Sequence, residues 1–187
     1  MPQTRRVFIR TTGIGLLSFY VAGCKLELTP GEARQQEIPF QVLQVDQVRI
    51  LEAFGETLLP GSAAAGLAHF IDHQLNAAPA DQLLMIKYLG VDPPFTAFYT
   101  QGLAALNDTA KSVHGVQFFE LNVDQKIALT GQIALANPDG WAGPPAPFFY
   151  FVLRNDAVDV FYGTKQGIES LGIPYMAHIE PPSRWGE

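Results

Sequence analysis

The stretch FFYFVLRNDAVDVFY, residues 148–162, decides how this chain folds. It is apolar almost all round, interrupted by Arg154, Asn155, Asp156 and Asp159, as in a helix covered on most sides. The alternation over Val158 to Tyr162 offers a strand as the competing reading. The helix is preferred, with Asp156 and Asp159 three residues apart on a solvated polar strip.

Helical spacing recurs upstream. Val48, Leu51, Phe54 and Leu58 follow Asp46, read as an N-cap, and Pro60-Gly61 stops the pattern. Leu67, Phe70, Ile71 and Leu75 form a second stripe, ended by Asn76 to Pro79. Leu83, Leu84, Ile86 and Leu89 form a third, and Phe95, Phe98, Tyr99, Leu103 and Leu106 a fourth after Pro93-Pro94. Asn122 and Gln125 have capping-box spacing ahead of Ile127, Leu129, Ile133 and Leu135, a fifth helix that tolerates Gly131. Asn137-Pro138-Asp139-Gly140 has the residue order of a type I turn.

Downstream of residues 148–162, Gly172 ends a short segment from Ile168 to Leu171. The stretch IPYMAHIEPPSRW has too many prolines for a regular element and is expected to run extended over a surface. The sum is a single all-α domain of about six helices over residues 43–187, with long Pro/Gly-rich loops.

The amino terminus has a different character. Arg5, Arg6 and Arg10 precede an uncharged apolar run from Gly13 to Gly23, the layout of an export signal and about half the ~20 residues that a spanning helix needs. Thr4-Arg5-Arg6-Val7-Phe8-Ile9-Arg10 resembles the twin-arginine motif of proteins exported already folded, with Arg5, Arg6 and Phe8 as its determinants. Val21-Ala22-Gly23-Cys24 resembles the lipobox of bacterial lipoproteins, which would make Cys24 the acylated residue and residues 1–23 a removable signal. Residues 24–42 then read as a polar tether, and the mature chain as periplasmic and lipid-anchored.

Removing residues 1–23 from the 187 leaves 164, enough for one core. The remainder carries nine basic and eighteen acidic side chains, a formal charge of −9, which disfavours nucleic acid as a partner. Cys24 is the only cysteine, so the chain forms no internal disulfide and cannot hold a Cys-x-x-Cys-His haem motif.

Candidate chemistry is sparse. His69 and His73 are four apart and share a helix face beside Asp72, the spacing of a two-histidine metal site. Half-exposed histidines beside an apolar stripe are ordinary structural residues, and no third ligand is evident. An autonomous lipoprotein with a weak histidine-based metal site is the alternative of a different class. Ser112, Ser183, His114 and His178 offer no Gly-x-Ser-x-Gly elbow, and the mature chain has no strand-linked Gly-x-Gly-x-x-Gly. The expectation is no catalytic residue, no metal and no cofactor site in this chain. Trp141, Phe148, Phe149, Tyr175, Met176 and Trp185 make the carboxyl third aromatic-rich, and such residues serve as partner anchors about as often as core.

PAPFFYFVLRNDAVDVFYGTKQGIESLGIPYMAHIEPPSRW, Pro145 to Trp185, resembles the signature region of gluconate 2-dehydrogenase subunit 3. ILEAFGETLLPG (Ile50 to Gly61) and FIDHQL (Phe70 to Leu75) resemble its upstream segments. The resemblance implies a non-catalytic small subunit accompanying a flavoprotein of the glucose-methanol-choline oxidoreductase type. FAD is then expected in that partner, and in many such complexes haem c in a third, cytochrome subunit. It also implies that the twin-arginine signal of the small subunit carries the large one across the membrane.

Overall fold

The structure, a computed structural model, describes residues 17–21 and 24–172. Its elements are a hairpin of β1 (Leu17–Val21) and β2 (Cys24–Leu28), then α1 (Pro30–Gln35), α2 (Val45–Leu58), α3 (Leu67–Asn76), α4 (Thr96–His114), α5 (Val123–Leu135), α6 (Ala146–Tyr162) and α7 (Lys165–Ser170). Short 3₁₀ turns lie at Met85–Leu89 and Phe118–Glu120. The fold is all-α, with the hairpin as its one small sheet among the described residues. None of the described helices is long and apolar enough to cross a membrane.

The stretch that decided the fold is helical. Ala146, Phe149, Val152, Leu153, Asp156, Ala157, Val160 and Phe161 are buried along α6, recurring at the three- and four-residue steps of one helix face. α6 packs against α2, α3, α4, α5 and α7, so it is the axis of the bundle. The same stripe overturns the reading of Asp156 as a solvated group. It lies four residues after Val152 and four before Val160, and is fully buried, whereas Asp159 points outward.

Around α6 the core is aromatic. The rings of Phe54 and Phe149 stack at 5.7 Å and 4° between planes, and Phe118 meets Phe54 edge-on at 5.8 Å. Gly102 of α4 is required there, because a Cβ at that position would fall into the Phe149 ring.

Boundaries differ from the sequence expectation where tertiary partners intervene. α2 starts at Val45 with Gln44 as N-cap, its N–H bonded to Gln47 Oε1 at 2.9 Å, so Asp46 sits in the first turn and favours the positive end of the helix dipole. The third apolar stripe forms only a 3₁₀ turn, closed by Gly90 at φ +74°. α4 runs two turns past Leu106 because Thr109 and Ala110 are still buried, and Gly115 in the left-handed region ends it. Asn122 caps α5 as expected, accepting from Gln125 N–H at 2.9 Å. The turn after α5 is shifted by one residue, with Trp141 N–H bonded to Pro138 O and Gly140 at φ +76°, as a type II turn requires at its third position.

The largest departure concerns residues 24–42, which are not an extended tether. Cys-Lys-Leu-Glu-Leu alternates with period two, and β2 turns Leu26 and Leu28 inward while Lys25 and Glu27 pair outside at 3.2 Å. α1 follows with a full capping box between Thr29 and Glu32. Ala33 and Ile38 are buried, and Leu43 just beyond them joins the main core, so the segment runs along the bundle and does not lead away from it.

Candidate functional site

The two histidines of α3 and the aspartate between them work as a clasp on the amino-terminal segment. His69 Nε2 lies 3.1 Å from Ile38 O, and His73 Nε2 lies 3.0 Å from Ser18 O. A carbonyl oxygen only accepts, so each Nε2 carries the proton and each buried Nδ1 is left as an acceptor without a partner among the described residues. Burial holds His69 below the ordinary imidazole range, outweighing its bond to Ile38. Asp72 accepts the N–H groups of Gln41, Val42 and Leu43, each at 2.8 Å. The spacing that suggested a metal site thus places three side chains on successive segments of the preceding chain. Among the described residues, no three His, Cys, Asp or Glu side chains gather where they could hold a metal ion.

Among the described residues, the most perturbed carboxyl is Asp156. It accepts from Met85 N–H at 2.9 Å and from the Tyr99 hydroxyl at 2.7 Å. Burial pushes it up to about 7, against the lowering effect of those two bonds, and nearby Asp159 adds to the rise. Tyr99 is also raised, by burial and by Asp156. Both groups are sealed from solvent, so the pair fixes the 3₁₀ turn and α4 to α6 and offers nothing to a substrate.

A cleft of about 480 Å³ lies between α1, α3 and the junction of α6 with α7, lined by Thr29, Ala65, Phe70, Val160, Asp159 and Lys165 among others. Its lining contains no His, Cys or Ser, and the Thr29 hydroxyl there donates to Glu32 Oε2 at 3.0 Å as part of the capping box of α1. Partial burial raises Asp159 above the usual carboxylate range.

The remaining candidate is a surface. Phe148 is half-buried and meets Phe98 edge-on at 5.5 Å, and Trp141 is half-buried with its indole N–H donated to Pro144 O at 2.6 Å. Phe149 is a correction to the expected partner contacts: it is fully buried against Phe54, because its place on α6 faces the bundle axis. Tyr175, Met176 and Trp185 lie outside the described residues, as do Arg5, Arg6 and Phe8, and of Cys24 only the backbone is described.

Two exposed features escaped the sequence reading. Phe151 of α6 is 44% exposed, and Val123, Ile127 and Leu135 of α5 are exposed, Leu135 at 86%. The last three, with Gly131, fall at steps of four and form one row along α5, a helix that packs directly beside α6. Their spacing was visible in the sequence, but Ile127 and Leu135 matched a core stripe equally well. Large apolar side chains in a row are ordinarily covered by something.

Comparison with curated proteins and with solved structures gives no match for this chain. The family model described as Gluconate 2-dehydrogenase subunit 3 matches residues 45–178, which spans α2 through α7 and every core element of the bundle. That designation is of an accessory subunit in a multi-subunit dehydrogenase. On that match over most of its length, the chain belongs to the gluconate 2-dehydrogenase subunit 3 family.

Proposed function

We propose that this chain is a non-catalytic small subunit of a periplasmic, flavin-dependent sugar or polyol dehydrogenase, and that it escorts the folded flavoprotein through twin-arginine export. The family match carries the reading. It is supported by the Thr4 to Arg10 motif, which resembles the address of a folded cargo, and by exposed apolar side chains on α5 and on α6 that suit a protein partner. FAD belongs to the large subunit of the glucose-methanol-choline oxidoreductase type, and haem c to a cytochrome subunit. Acylated Cys24 attaches the assembly to a membrane.

The placement of the polar groups supports that division of labour. The polar groups with the strongest perturbation, Tyr99 and Asp156, are spent inside the core, and the α3 clasp is spent on holding chain segments. Among the described residues, Val123, Ile127, Leu135 and Phe151 are apolar side chains presented outward. Native mass spectrometry of the complex isolated from cells tests the reading. Recovery of this chain bound to a flavin-containing subunit supports it, and recovery of this chain alone with sugar-oxidising turnover removes it.

A further inference from the structure

The hairpin straddles the junction at which the lipobox reading places the cut. β1 lies wholly within the apolar run of the signal, β2 begins at Cys24, and only Ala22 and Gly23 separate them in sequence. The strands pair antiparallel with Leu17 opposite Leu28, Phe19 opposite Leu26 and Val21 opposite Cys24.

β1 is seated in a groove built entirely by residues downstream of the cut. Leu17 and Phe19 are buried to 7% and 4% exposure and cluster with Ala33 and Ile38, with Leu26, Leu28 and Phe70 packed beside them. His73 donates to Ser18 O at 3.0 Å and meets the Phe19 ring edge-on at 5.1 Å. The opposite side of β2 carries the Lys25–Glu27 pair. Taking β1 away would leave a row of unpaired β2 backbone groups beside an uncovered apolar cluster and a histidine N–H without its acceptor. Such an edge is a template for another strand.

We propose that β2, Ala33, Ile38, Phe70 and His73 form a strand-docking groove. The signal segment Leu17–Val21 fills it in cis, and scission before Cys24 vacates it for an extended, uncharged segment of the partner subunit with apolar residues at alternate positions. The seated segment defines that occupant: two alternate apolar side chains, a backbone that pairs antiparallel with β2, and a carbonyl aimed at His73. The groove is thereby closed to a partner strand until the signal has been removed, and the contacts that hold the partner during export lie on other faces of the chain. This inference rests on the proposed export reading.

The test uses the full chain, folded intact, with a protease recognition sequence inserted between Val21 and Cys24. After nicking and removal of the released signal, binding of a fluorescein-labelled peptide of residues 15–22 is measured by anisotropy, with circular dichroism as the check on the fold. The nicked chain is expected to bind saturably and the intact chain at least about tenfold more weakly. A Phe19→Asp peptide loses about tenfold or more, and His73→Ala in the nicked chain weakens binding several-fold. Equal binding by intact and nicked chains overturns the proposal, as does no binding by a nicked chain that stays helical. Loss of the helical signal on nicking also overturns it, since β1 would then be part of the fold and not a displaceable occupant. Peptide binding to unacylated but not to acylated chain overturns it in favour of the lipid as occupant. The amino-terminal mass of the chain recovered from cells reports separately on whether the signal is removed, so failure of the export reading is distinguishable from failure of the groove.

Discussion

Tyr99 donates its hydroxyl hydrogen to Asp156 Oδ2 over 2.7 Å, joining α4 to α6 at a point that solvent does not reach. With Met85 N–H on the other carboxyl oxygen, one side chain ties three segments together. Because burial lifts Asp156 from 3.8 to about 7, the native state keeps a proton that the unfolded chain releases between those values. A raised carboxyl contributes stability that is fully present below its unfolded value and is lost as pH rises through its folded one. The contribution of this group is expected to fall by up to about 4 kcal/mol over that window, at 1.36 kcal/mol per unit. Urea unfolding at pH 4.5, 6 and 8 checks it, and Asp156→Asn should flatten the slope relative to the parent chain.

Tyr99→Phe removes one of the two donors to a buried carboxyl without changing the ring. The expected loss at pH 8 is about 1.5–3 kcal/mol, the range for a hydrogen bond to a charged group, and smaller at pH 4.5 where Asp156 is neutral. An equal loss at both values would detach the hydroxyl from the ionisation of Asp156.

Asp72 holds three consecutive N–H groups of the chain ahead of α2, at Gln41, Val42 and Leu43. Asp72→Ala leaves all three short of an acceptor and should cost about 3 kcal/mol, because bonds in one network do not add in full. Amide exchange at 41–43 should accelerate far more than at Leu103 or Leu129.

On the surface, Phe151→Asp and Leu135→Asp are expected to change unfolding free energy by no more than about 0.5–1 kcal/mol, since neither side chain is in the core. If the α5–α6 face carries the large subunit, the double variant should weaken co-purification by about tenfold or more. Removing residues 148–185 could not serve as that test, because Phe149, Val152, Leu153 and Val160 are core and the bundle would be lost.

Arg5→Lys with Arg6→Lys is expected to leave both subunits in the cytoplasm, read by fractionation and immunoblotting. Finding the flavoprotein outside regardless would remove the escort role.

The bundle was legible because helical burial writes itself into spacing. The stripe of α6, the cap at Asn122 and the stop after Leu135 depend on residues within a few positions of one another. The site was less legible, since the sequence gives periodicity but not which face finds a neighbour. Phe148 and Phe149 are adjacent, yet one reaches the surface and the other stacks on Phe54, ninety-five residues away.

By itself the sequence determined that this is an all-α chain of the subunit 3 family, apolar enough to fold around one core and headed by a twin-arginine-like motif. Tertiary structure alone decided that Asp156 is buried, that His69, Asp72 and His73 are holding groups, and that residues 17–21 and 24–42 lie on the bundle. The physical reason is range. Helix periods and caps are set within one or two turns, whereas the burial of a carboxyl or the seating of a strand depends on partners thirty to seventy residues distant, whose approach no local pattern encodes.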